Sequence, residues 1–475
     1  MTQTTVQFGQ SLNNMVSFKH QHCDEFRGPL VWLAREAATF EIQSPAMMLH
    51  DQERLEDFKI FVDGVAIYRG RAVVQQIISG GATKISHVEL DDAGFSDEYL
   101  ATLTAAAEEG GSLDRFLELW GEVYRLRKEF KVILADIHTF LSDLRRHLEV
   151  QEVGLTSLPQ DERAQKESRL LAKITPTTNQ ALDELFERFE LFVSSLSDAE
   201  KPIYRDYAQR MLHSLVLWAP FSDRSYRKPL GYAGDHEMVA MMFREHREGT
   251  SLYAKVFNVW LLHQDSSLAH QNRVTILEAR LATCIAKVHG MGRRANVLNI
   301  GCGPAVEVQR LIANSPLSDH LDITLLDFND KTLAQTGAQL RKLKQEHGRT
   351  TTFEAVTKSV QQLLKDSAGK KQIARYDMVY CAGLFDYMPD KICERLLGLF
   401  YQQAVPGGAV LATNVTPKNP NRASMEFALD WYLIYRDAQA MRGILPQGIT
   451  GSQAHICSDL TGTNIFLEFS KPHAT

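Results

Sequence analysis

The sequence predicts an α/β protein in which a doubly wound sheet with an antiparallel edge hairpin follows a small antiparallel β-barrel and a helical region. After residue 290, short apolar strands alternate with helices, which is typical of a parallel sheet. Before residue 96, apolar and polar residues alternate between turn-forming residues, which indicates antiparallel strands. Between these two regions, apolar residues recur at helical spacing.

Composition narrows the class of protein. The chain has 475 residues, enough for two or three domains, and 44% of them are apolar, which is typical of a soluble globular protein. The formal net charge of −6 and the lack of a basic cluster argue against nucleic acid as a partner. The six cysteines form no C-x-x-C pair, which argues against a metal site and a disulfide framework and for a reducing compartment.

Targeting segments are not evident in the sequence. No stretch reaches the roughly 18 apolar residues that a transmembrane helix needs. Residues 1–20 lack a basic start followed by an apolar run. We therefore predict a cytoplasmic protein with a flexible segment at 1–20, and leave open a homodimer and a transient membrane contact.

The alternating pattern predicts a barrel domain over residues 21–96. Residues 58–62 and 65–74 flank Asp63-Gly64, a hairpin turn pair, and Gly80-Gly81 precedes a third strand at 84–90. This region resembles a degenerate PilZ-type barrel. PilZ domains bind cyclic di-GMP through an R-x-x-x-R motif, which is missing here, so a structural or docking module is favoured.

A helical domain is predicted over residues 97–220. Apolar faces at helical spacing occur around Phe130 and again around Phe189. Residues 151–178 carry two prolines and many charges, so we predict a loop or linker there.

The stretch 224–237 begins a segment, 221–290, predicted to contain a lid and helices leading into the sheet domain. It is rich in tyrosine, arginine, glycine and aspartate, a composition typical of functional loops. Tyr232 and Asp235 offer polar groups, and Gly231 and Gly234 allow close approach to a ligand. The alternative is an ordinary linker between helices.

The predicted sheet domain, residues 291–475, opens with a strand, a glycine turn and a helix. The apolar strand 296–300 leads to Gly301-Cys-Gly303, and Pro304 is expected at the first helical position. A helix N-terminus after such a turn offers free N–H groups to a ligand. Asp327 ends the next strand, 24 positions after Gly303, where nucleotide-binding folds place an acid for ribose hydroxyls.

The glycine turn differs from two common phosphate-binding motifs. Val306 stands where a dinucleotide fingerprint has its third glycine, and no Gly-Lys-Ser/Thr sequence follows. Further strands are predicted at 351–357, 376–383 and 407–415, a helix at 423–440, and a closing hairpin from 454–458 and 464–469. Together they give a Rossmann-like sheet whose strand ends gather the polar residues at one edge.

The glycine turn and Asp327 resemble the cofactor site of class I S-adenosylmethionine-dependent methyltransferases. The resemblance implies that Gly301, Cys302 and Gly303 line the cofactor and that Asp327 binds its ribose hydroxyls. The acid usual for adenine at the end of the third strand is absent. The remaining cofactor contacts that the resemblance implies are Phe328, Ser359, Val360, Ala382 and Gly383.

Three further stretches, 231–238, 383–387 and 429–436, resemble a narrower bacterial group. Its members are extracellular-factor, 3-hydroxypalmitic acid methyl ester biosynthesis proteins of the PhcB type. The resemblance implies methyl transfer to a fatty-acid carboxylate, forming a quorum-sensing signal. The residues expected to act in catalysis are Tyr232, Asp235, Asp386 and Tyr387, and those expected to bind the substrate are Phe385, Asn414, Trp431, Tyr435 and Arg436.

The expected chemistry needs no strong base, because a carboxylate is already ionised at pH 7. The enzyme would orient the acceptor and exclude water. Two alternatives stay open: a methyltransferase for another small acid, phenol or amine, and a non-catalytic regulatory protein that binds S-adenosylmethionine or a lipid. The aromatic residues Phe385, Trp431, Tyr432 and Tyr435 could line an acyl tunnel or equally belong to the core. Arg436 could pair with the carboxylate or equally form a surface salt bridge.

Overall fold

The computed structural model divides into two compact units. The first comprises Met1–Gly231, Arg247–Trp260 and Ala423–Asp430, and the second Tyr232–His246, Leu261–Arg422 and Trp431–Thr475. The turn residues Asp63, Gly64 and Gly81 and most of the helical pattern before residue 125 lie outside the described residues. Described are residues 6–7, 14–20, 23–34, 36–42, 49–62, 65–80, 83–91, 94–95, 121, 125–244, 246–367, 375–449 and 453–472.

The first unit contains a closed antiparallel barrel, as predicted. Six strands pair in the order β3, β2, β5, β6, β7 and β4, and β4 returns to β3, while β1 pairs with the end of β3. The PilZ resemblance stays a prediction. The strands are β1 Val6–Gln7, β2 Met15–His20, β3 Cys23–Leu33, β4 Ala37–Ile42, β5 Arg54–Val62, β6 Val65–Gly80 and β7 Thr83–Leu90.

Phenylalanines fill the barrel. The rings of Phe18 and Phe26 lie 4.8 Å apart, and Phe58 stacks on Phe18 at 5.6 Å. Phe40 contacts the same group, and all four side chains are buried. The period-two pattern thus places one face of each strand in an apolar core.

Long helices follow the barrel in the chain. Residues 151–178, predicted as a loop, lie almost entirely in the first two helices, so that prediction is wrong. The charges that suggested a loop occupy solvent-facing positions, while sparse apolar residues such as Leu171 form the buried stripe. The helices are α1 Lys128–Thr156, α2 Gln160–Ser194, α3 Lys201–Val216, α4 Pro220–Arg227, α5 His236–Met241, α6 Leu252–Leu262 and α7 Asp265–His289.

The second unit contains the predicted doubly wound sheet. The strand order is β10, β9, β8, β11, β12, β14 and β13, with β8 to β12 parallel and the last two antiparallel. The order reverses between β8 and β11, where folds of this class bind ligands. The strands are β8 Ala295–Ile300, β9 Leu321–Asp327, β10 Thr352–Thr357, β11 Tyr376–Cys381, β12 Ala404–Val415, β13 Ala454–Ser458 and β14 Asn464–Ser470.

Helices cover both faces of this sheet. Leu281 of α7 and Val308 share one apolar cluster with Val297, and Leu396 and Phe400 share another with Val379. Every residue of β11 is buried, as expected for a central parallel strand. The helices are α8 Val306–Asn314, α9 Asp330–Glu346, α10 Val360–Ser367, α11 Asp390–Gln403 and α12 Ala438–Gly443, with short 3-10 turns at Pro316–His320 and Phe385–Tyr387.

The helix predicted at 423–440 is wrong. A π-helical turn, Ser424–Ala428, is followed by an irregular chain to residue 437, and only then by α12. Asp430 adopts a left-handed backbone (φ 49°), which ends the helical path. The N–H groups of Ile434 and Arg436 donate to the Asp386 and Val415 carbonyls, so they are not available for a helix.

A buried carboxylate holds the start of the π-helical turn within the first unit. Glu190 accepts hydrogen bonds from the N–H groups of Ala423 and Ser424 at 2.7 and 2.8 Å, and from the Ser424 hydroxyl at 2.6 Å. At the other end, the His213 ring bonds to the Ala428 carbonyl at 2.9 Å. Burial nevertheless raises the pKa of Glu190 from 4.5 to about 7, and the neighbouring Glu426 adds to this.

Glu190 should make stability depend on pH. Because its folded pKa is above its unfolded value, its contribution is fully present below about pH 4.5 and is lost as the pH rises through about 7. Between pH 5 and 8, the free energy of unfolding should fall by on the order of 3 kcal/mol more in the wild type than in Glu190→Gln. Denaturant titrations of both proteins across this range measure the difference, and parallel pH profiles would contradict it.

Candidate functional site

The glycine turn after β8 is fixed to the end of the neighbouring strand β9. The N–H groups of Gly301 and Cys302 both donate to the Leu326 carbonyl, at 2.8 and 3.1 Å. Gly301 and Gly303 have φ values of 67° and 50°, a left-handed backbone that glycine adopts without steric cost. The turn therefore needs glycine at both positions for conformational reasons.

The helix after the turn starts later than predicted. Pro304 was expected to be its first residue, but α8 begins at Val306, and Ala305 before it has a left-handed backbone (φ 48°). The N–H of Ala305 donates to the Cys302 carbonyl at 2.9 Å, so Pro304 belongs to the turn and not to the helix. The side chain of Cys302 packs in the apolar core, and its N–H and carbonyl are both already hydrogen-bonded.

Asp327 connects the two strand ends. One carboxylate oxygen accepts the N–H of Gly303 at 3.1 Å, and the other accepts the N–H of Asn329 at 3.0 Å. Each oxygen keeps a further lone pair for a ligand hydroxyl. Space above the turn is open, because a Cβ added to Gly303 would meet no atom within 4 Å. This cradle, with an acid beside it, suits the ribose of a nucleoside.

The loop 232–235 lies along the carboxyl ends of the strands. The ring of Tyr232 is 5.3 Å from that of Phe328, which follows Asp327 and is 53% exposed. A Cβ added to Gly234 would lie 2.6 Å from the Tyr387 hydroxyl. His236 bonds to Thr332 at 2.9 Å, which fixes the end of the loop on α9. The loop thus spans from the end of β9 to the turn after β11.

Asp235 has a structural position. Its carboxylate accepts the N–H of Met238 at 2.8 Å and caps α5, and the residue is buried. An aspartate before a helix is a strong cap, and this accounts for its presence in the loop. The contact gives Asp235 a structural role, and the catalytic role expected for it stays a prediction.

Asp386 and Tyr387 lie in the short 3-10 turn that follows β11. Asp386 is buried and accepts the N–H of Val415 at 2.6 Å, and its burial raises its pKa to about 6. The Tyr387 hydroxyl accepts the indole N–H of Trp431 at 2.9 Å, and burial followed by the nearby Asp386 raises the pKa of the phenol. The residue is 37% exposed as a whole, and its hydroxyl lies between the Trp431 indole and Gly234.

Arg436 belongs to the protein interior. It is 2% exposed, and its guanidinium donates to the carbonyls of Phe385 and Met388 and to the side chains of Asn414 and Asp390, at 2.6–2.9 Å. Asn414 in turn donates to the carbonyls of Val415 and Ile434. These contacts occupy the donors that were expected to bind the substrate, and they make Asn414 structural as well. The alternative of a salt bridge holds in part, because Arg436 pairs with the exposed side chain of Asp390 while its own guanidinium lies in the interior.

The aromatic residues expected to line an acyl tunnel occupy different environments. Phe385 is fully buried in the core, so the expected substrate contact is wrong for it. Trp431 is buried at the Tyr387 hydroxyl, and the ring of Tyr435 lies under the guanidinium of Arg422 at 4.4 Å. Exposed apolar surface in the same stretch comes from Tyr432, another aromatic residue of the expected tunnel, and from Ile434, which the sequence analysis did not select.

The end of β10 lies beside Asp327. The N–H of Lys358 donates to the Asp327 carbonyl at 2.9 Å. Ser359 caps α10, because its hydroxyl accepts the N–H of Gln362 at 3.2 Å, and Val360 packs against the core. Ala382 packs against the core on the other side of the turn. Their expected cofactor contacts stay predictions.

A buried polar group under the turn was missed by the sequence analysis. Glu307 of α8 accepts the Tyr380 hydroxyl at 2.7 Å and the Asn299 amide at 3.1 Å, and its burial raises the pKa of its carboxyl. A polar Asn299 inside an otherwise apolar strand was the available signal. Arg273 of α7 was missed too, because a single arginine in an amphipathic helix carries no distinguishing pattern.

The described residues contain neither a metal-ligand cluster nor a membrane-spanning helix. Within the described ranges, no three His, Cys, Asp or Glu side chains gather as a metal site would require. None of the helices in the same ranges combines the length and apolar character needed to cross a bilayer.

Comparison with known proteins gives low similarities. No family model and no curated protein matches the chain. Among solved structures, a "possible exported protein" from Bordetella parapertussis has 15% identity and a TM-score of 0.41, covering 66% of this chain and 99% of its own. The magnesium protoporphyrin IX methyltransferase of Synechocystis PCC 6803 has 13% identity and a TM-score of 0.35, covering 53% and 97%.

A third solved structure is similar over a comparable length. The N-methyltransferase NodS of Bradyrhizobium japonicum WM9, in complex with S-adenosyl-L-homocysteine, has 12% identity and a TM-score of 0.30, covering 53% of this chain and all of its own. Similarities of this size do not establish a family, so the functional argument rests on the site itself.

Gly234 and Gly231 provide a matched pair for testing the loop. Both have a left-handed backbone, but an added Cβ at Gly234 meets Tyr387, whereas at Gly231 it meets open space. Gly234→Ala should therefore lower the free energy of unfolding by about 1 kcal/mol or more beyond the effect of Gly231→Ala. Denaturant titration of both variants measures this, and equal losses would place the loop away from Tyr387.

Proposed function

We propose that the protein is an S-adenosylmethionine-dependent methyltransferase. The observation that carries the proposal is the hydrogen bond from the Gly303 N–H to Asp327, at the point where the sheet order reverses. It joins an open glycine turn to an acid positioned for ribose hydroxyls. The lack of a third glycine, at Val306, argues against a dinucleotide in the same place.

Residues along the strand ends match the successive parts of the cofactor. The turn of Gly301, Cys302 and Gly303 offers a backbone surface without side chains at its two glycines, although its N–H groups are already bonded to the end of β9. Asp327 offers carboxylate oxygens to the ribose. Phe328 presents an exposed ring where adenine would lie, and Tyr232 extends that surface. The proposal assigns Ser359 and Val360 to the adenine side, and Ala382 and Gly383 to the methionine side. When bound, the cofactor supplies an electrophilic methyl group on a sulfonium.

The task of the protein is then to position the acceptor and keep water out. The loop 232–235 covers the strand ends, and Gly234 allows it to pack against Tyr387. Tyr387, held by Trp431, can donate a hydrogen bond to an acceptor oxygen and so orient it. An acid acceptor reaches the reaction already ionised, so no residue needs to remove a proton. Asp386, buried under Tyr387, is a positioning residue.

We propose a 3-hydroxy fatty acid as the acceptor, whose methyl ester would serve as a quorum-sensing signal. The resemblance of 231–238, 383–387 and 429–436 to methyl ester biosynthesis proteins supports this choice. The exposed apolar side chains Tyr432 and Ile434 support it as well, because they lie in the stretch that follows Trp431. An acyl chain needs such apolar surface.

The activity is tested by incubating the purified protein with S-adenosylmethionine and a series of 3-hydroxy fatty acids. We expect release of S-adenosylhomocysteine and a product heavier by one methylene group, detected by mass spectrometry. The same acids as amides serve as controls that present no carboxylate. Cofactor binding without product from any acid would contradict the enzymatic proposal, and product from a phenol or amine alone would change the acceptor class.

Asp327 should determine cofactor affinity. Asp327→Ala removes hydrogen bonds to a charged group, so binding of S-adenosylhomocysteine should weaken by about 1.5–3 kcal/mol. Isothermal titration calorimetry measures the affinity, and a thermal melt checks that the variant is folded. Asp330→Asn, an exposed acid in the first turn of α9, is the control expected to bind as the wild type does. A folded Asp327→Ala protein with unchanged affinity would refute the ribose role.

A further inference from the structure

Arg273 is a buried cation at the carboxyl edge of the sheet, and the proposed function leaves it without a role. It lies in α7 and is only 7% exposed. Its Nη1 atom is buried and has no hydrogen-bond partner among the described residues. A buried donor without a partner costs free energy, so native structures usually provide one.

The guanidinium lies directly against Gly383, which follows β11. A Cβ added to Gly383 would be 3.1 Å from Nη1, 3.3 Å from Nη2 and 3.5 Å from Cζ of Arg273. Gly383 also has a φ of 95° and donates its N–H to the Thr413 hydroxyl at 3.1 Å. The glycine therefore gives the guanidinium access to the strand end where the proposed cofactor and acceptor meet.

The acids near Arg273 already have other partners. Asp386 and Glu307 attract its charge through space. However, Asp386 accepts the Val415 N–H, and Glu307 accepts Tyr380 and Asn299. Burial lowers the pKa of Arg273, but an arginine remains charged at neutral pH. The site thus combines a charged, desolvated guanidinium with a donor that the described residues leave unbonded.

We propose that Arg273 binds a carboxylate group of a molecule held at Gly383. The planar guanidinium offers paired N–H donors that match the two oxygens of a carboxylate. This inference rests on the proposed function, which supplies two sources of that group: the amino-acid end of the cofactor and the carboxylate of an acidic acceptor. In either case Arg273 takes the carboxylate-binding role that the sequence suggested for Arg436.

The test compares ligands with and without a carboxylate. Isothermal titration calorimetry measures binding of S-adenosylhomocysteine and of 5′-methylthioadenosine, which lacks the amino-acid part, to the wild type, Arg273→Lys and Arg273→Met. Arg280→Met is the matched control on the same helix, because Arg280 already donates to Glu468 at 2.9 and 3.0 Å. Thermal melts establish that each variant is folded.

Each source predicts a different result. If the cofactor supplies the carboxylate, Arg273→Met weakens S-adenosylhomocysteine by roughly 10- to 100-fold and leaves 5′-methylthioadenosine unchanged, with Arg273→Lys intermediate. If the acceptor supplies it, cofactor binding is unchanged. The protein saturated with S-adenosylhomocysteine then loses affinity for 3-hydroxyhexadecanoate by a similar factor, but not for the corresponding amide.

Other results overturn the proposals separately. Equal binding of all four ligands by wild type and folded Arg273 variants rejects the role of Arg273 and leaves the proposed function standing. If Arg273→Met does not fold, the comparison is made between the wild type and Arg273→Lys. The role of Arg273 is then rejected if neither protein prefers the ligands with a carboxylate, or if the two proteins bind them with equal affinity. A wild type that binds neither S-adenosylhomocysteine nor 5′-methylthioadenosine rejects the proposed function, and this inference with it.

Discussion

Three consecutive amides of the glycine turn are bonded to the end of strand β9, and the arrangement of the site depends on these bonds. The N–H groups of Gly301 and Cys302 donate to the Leu326 carbonyl, and that of Gly303 donates to Asp327. Without these acceptors the turn would leave donors unsatisfied at the top of a buried sheet. Because each Asp327 oxygen keeps a further lone pair beside these contacts, one carboxylate can serve both the fold and the proposed ligand.

Buried polar contacts fix the neighbouring strand ends in the same way. Glu307 links α8 to Tyr380 of β11 and to Asn299 of β8, directly beneath the point where the sheet order reverses. Such a network is stable only when each member is satisfied. It therefore fixes β8, β11 and α8 relative to one another. The position of the glycine turn depends on this arrangement.

Two buried arginines show how differently one residue type is used. Arg436 donates to the carbonyls of Phe385 and Met388 and to the side chains of Asn414 and Asp390, and so holds the turn at Asp386 in place. Arg273 has a buried donor beside Gly383 for which the described residues provide no partner. The first completes a structural network, and the second fits a site that a ligand completes.

The sequence was enough to predict the sheet, the barrel, the glycine turn and Asp327 at the end of β9. These features depend on the local periodicity of apolar residues and on the backbone freedom of glycine. The sequence did not determine the start of α8 at Val306, the helices across 151–178 or the irregular chain after Ala428, since partners distant in sequence decide them. Tertiary structure alone placed Arg436 in the interior, made Asp235 a cap and brought Arg273 to Gly383. A charged side chain looks the same in sequence whether it meets solvent, a carbonyl or a ligand, and only packing decides which.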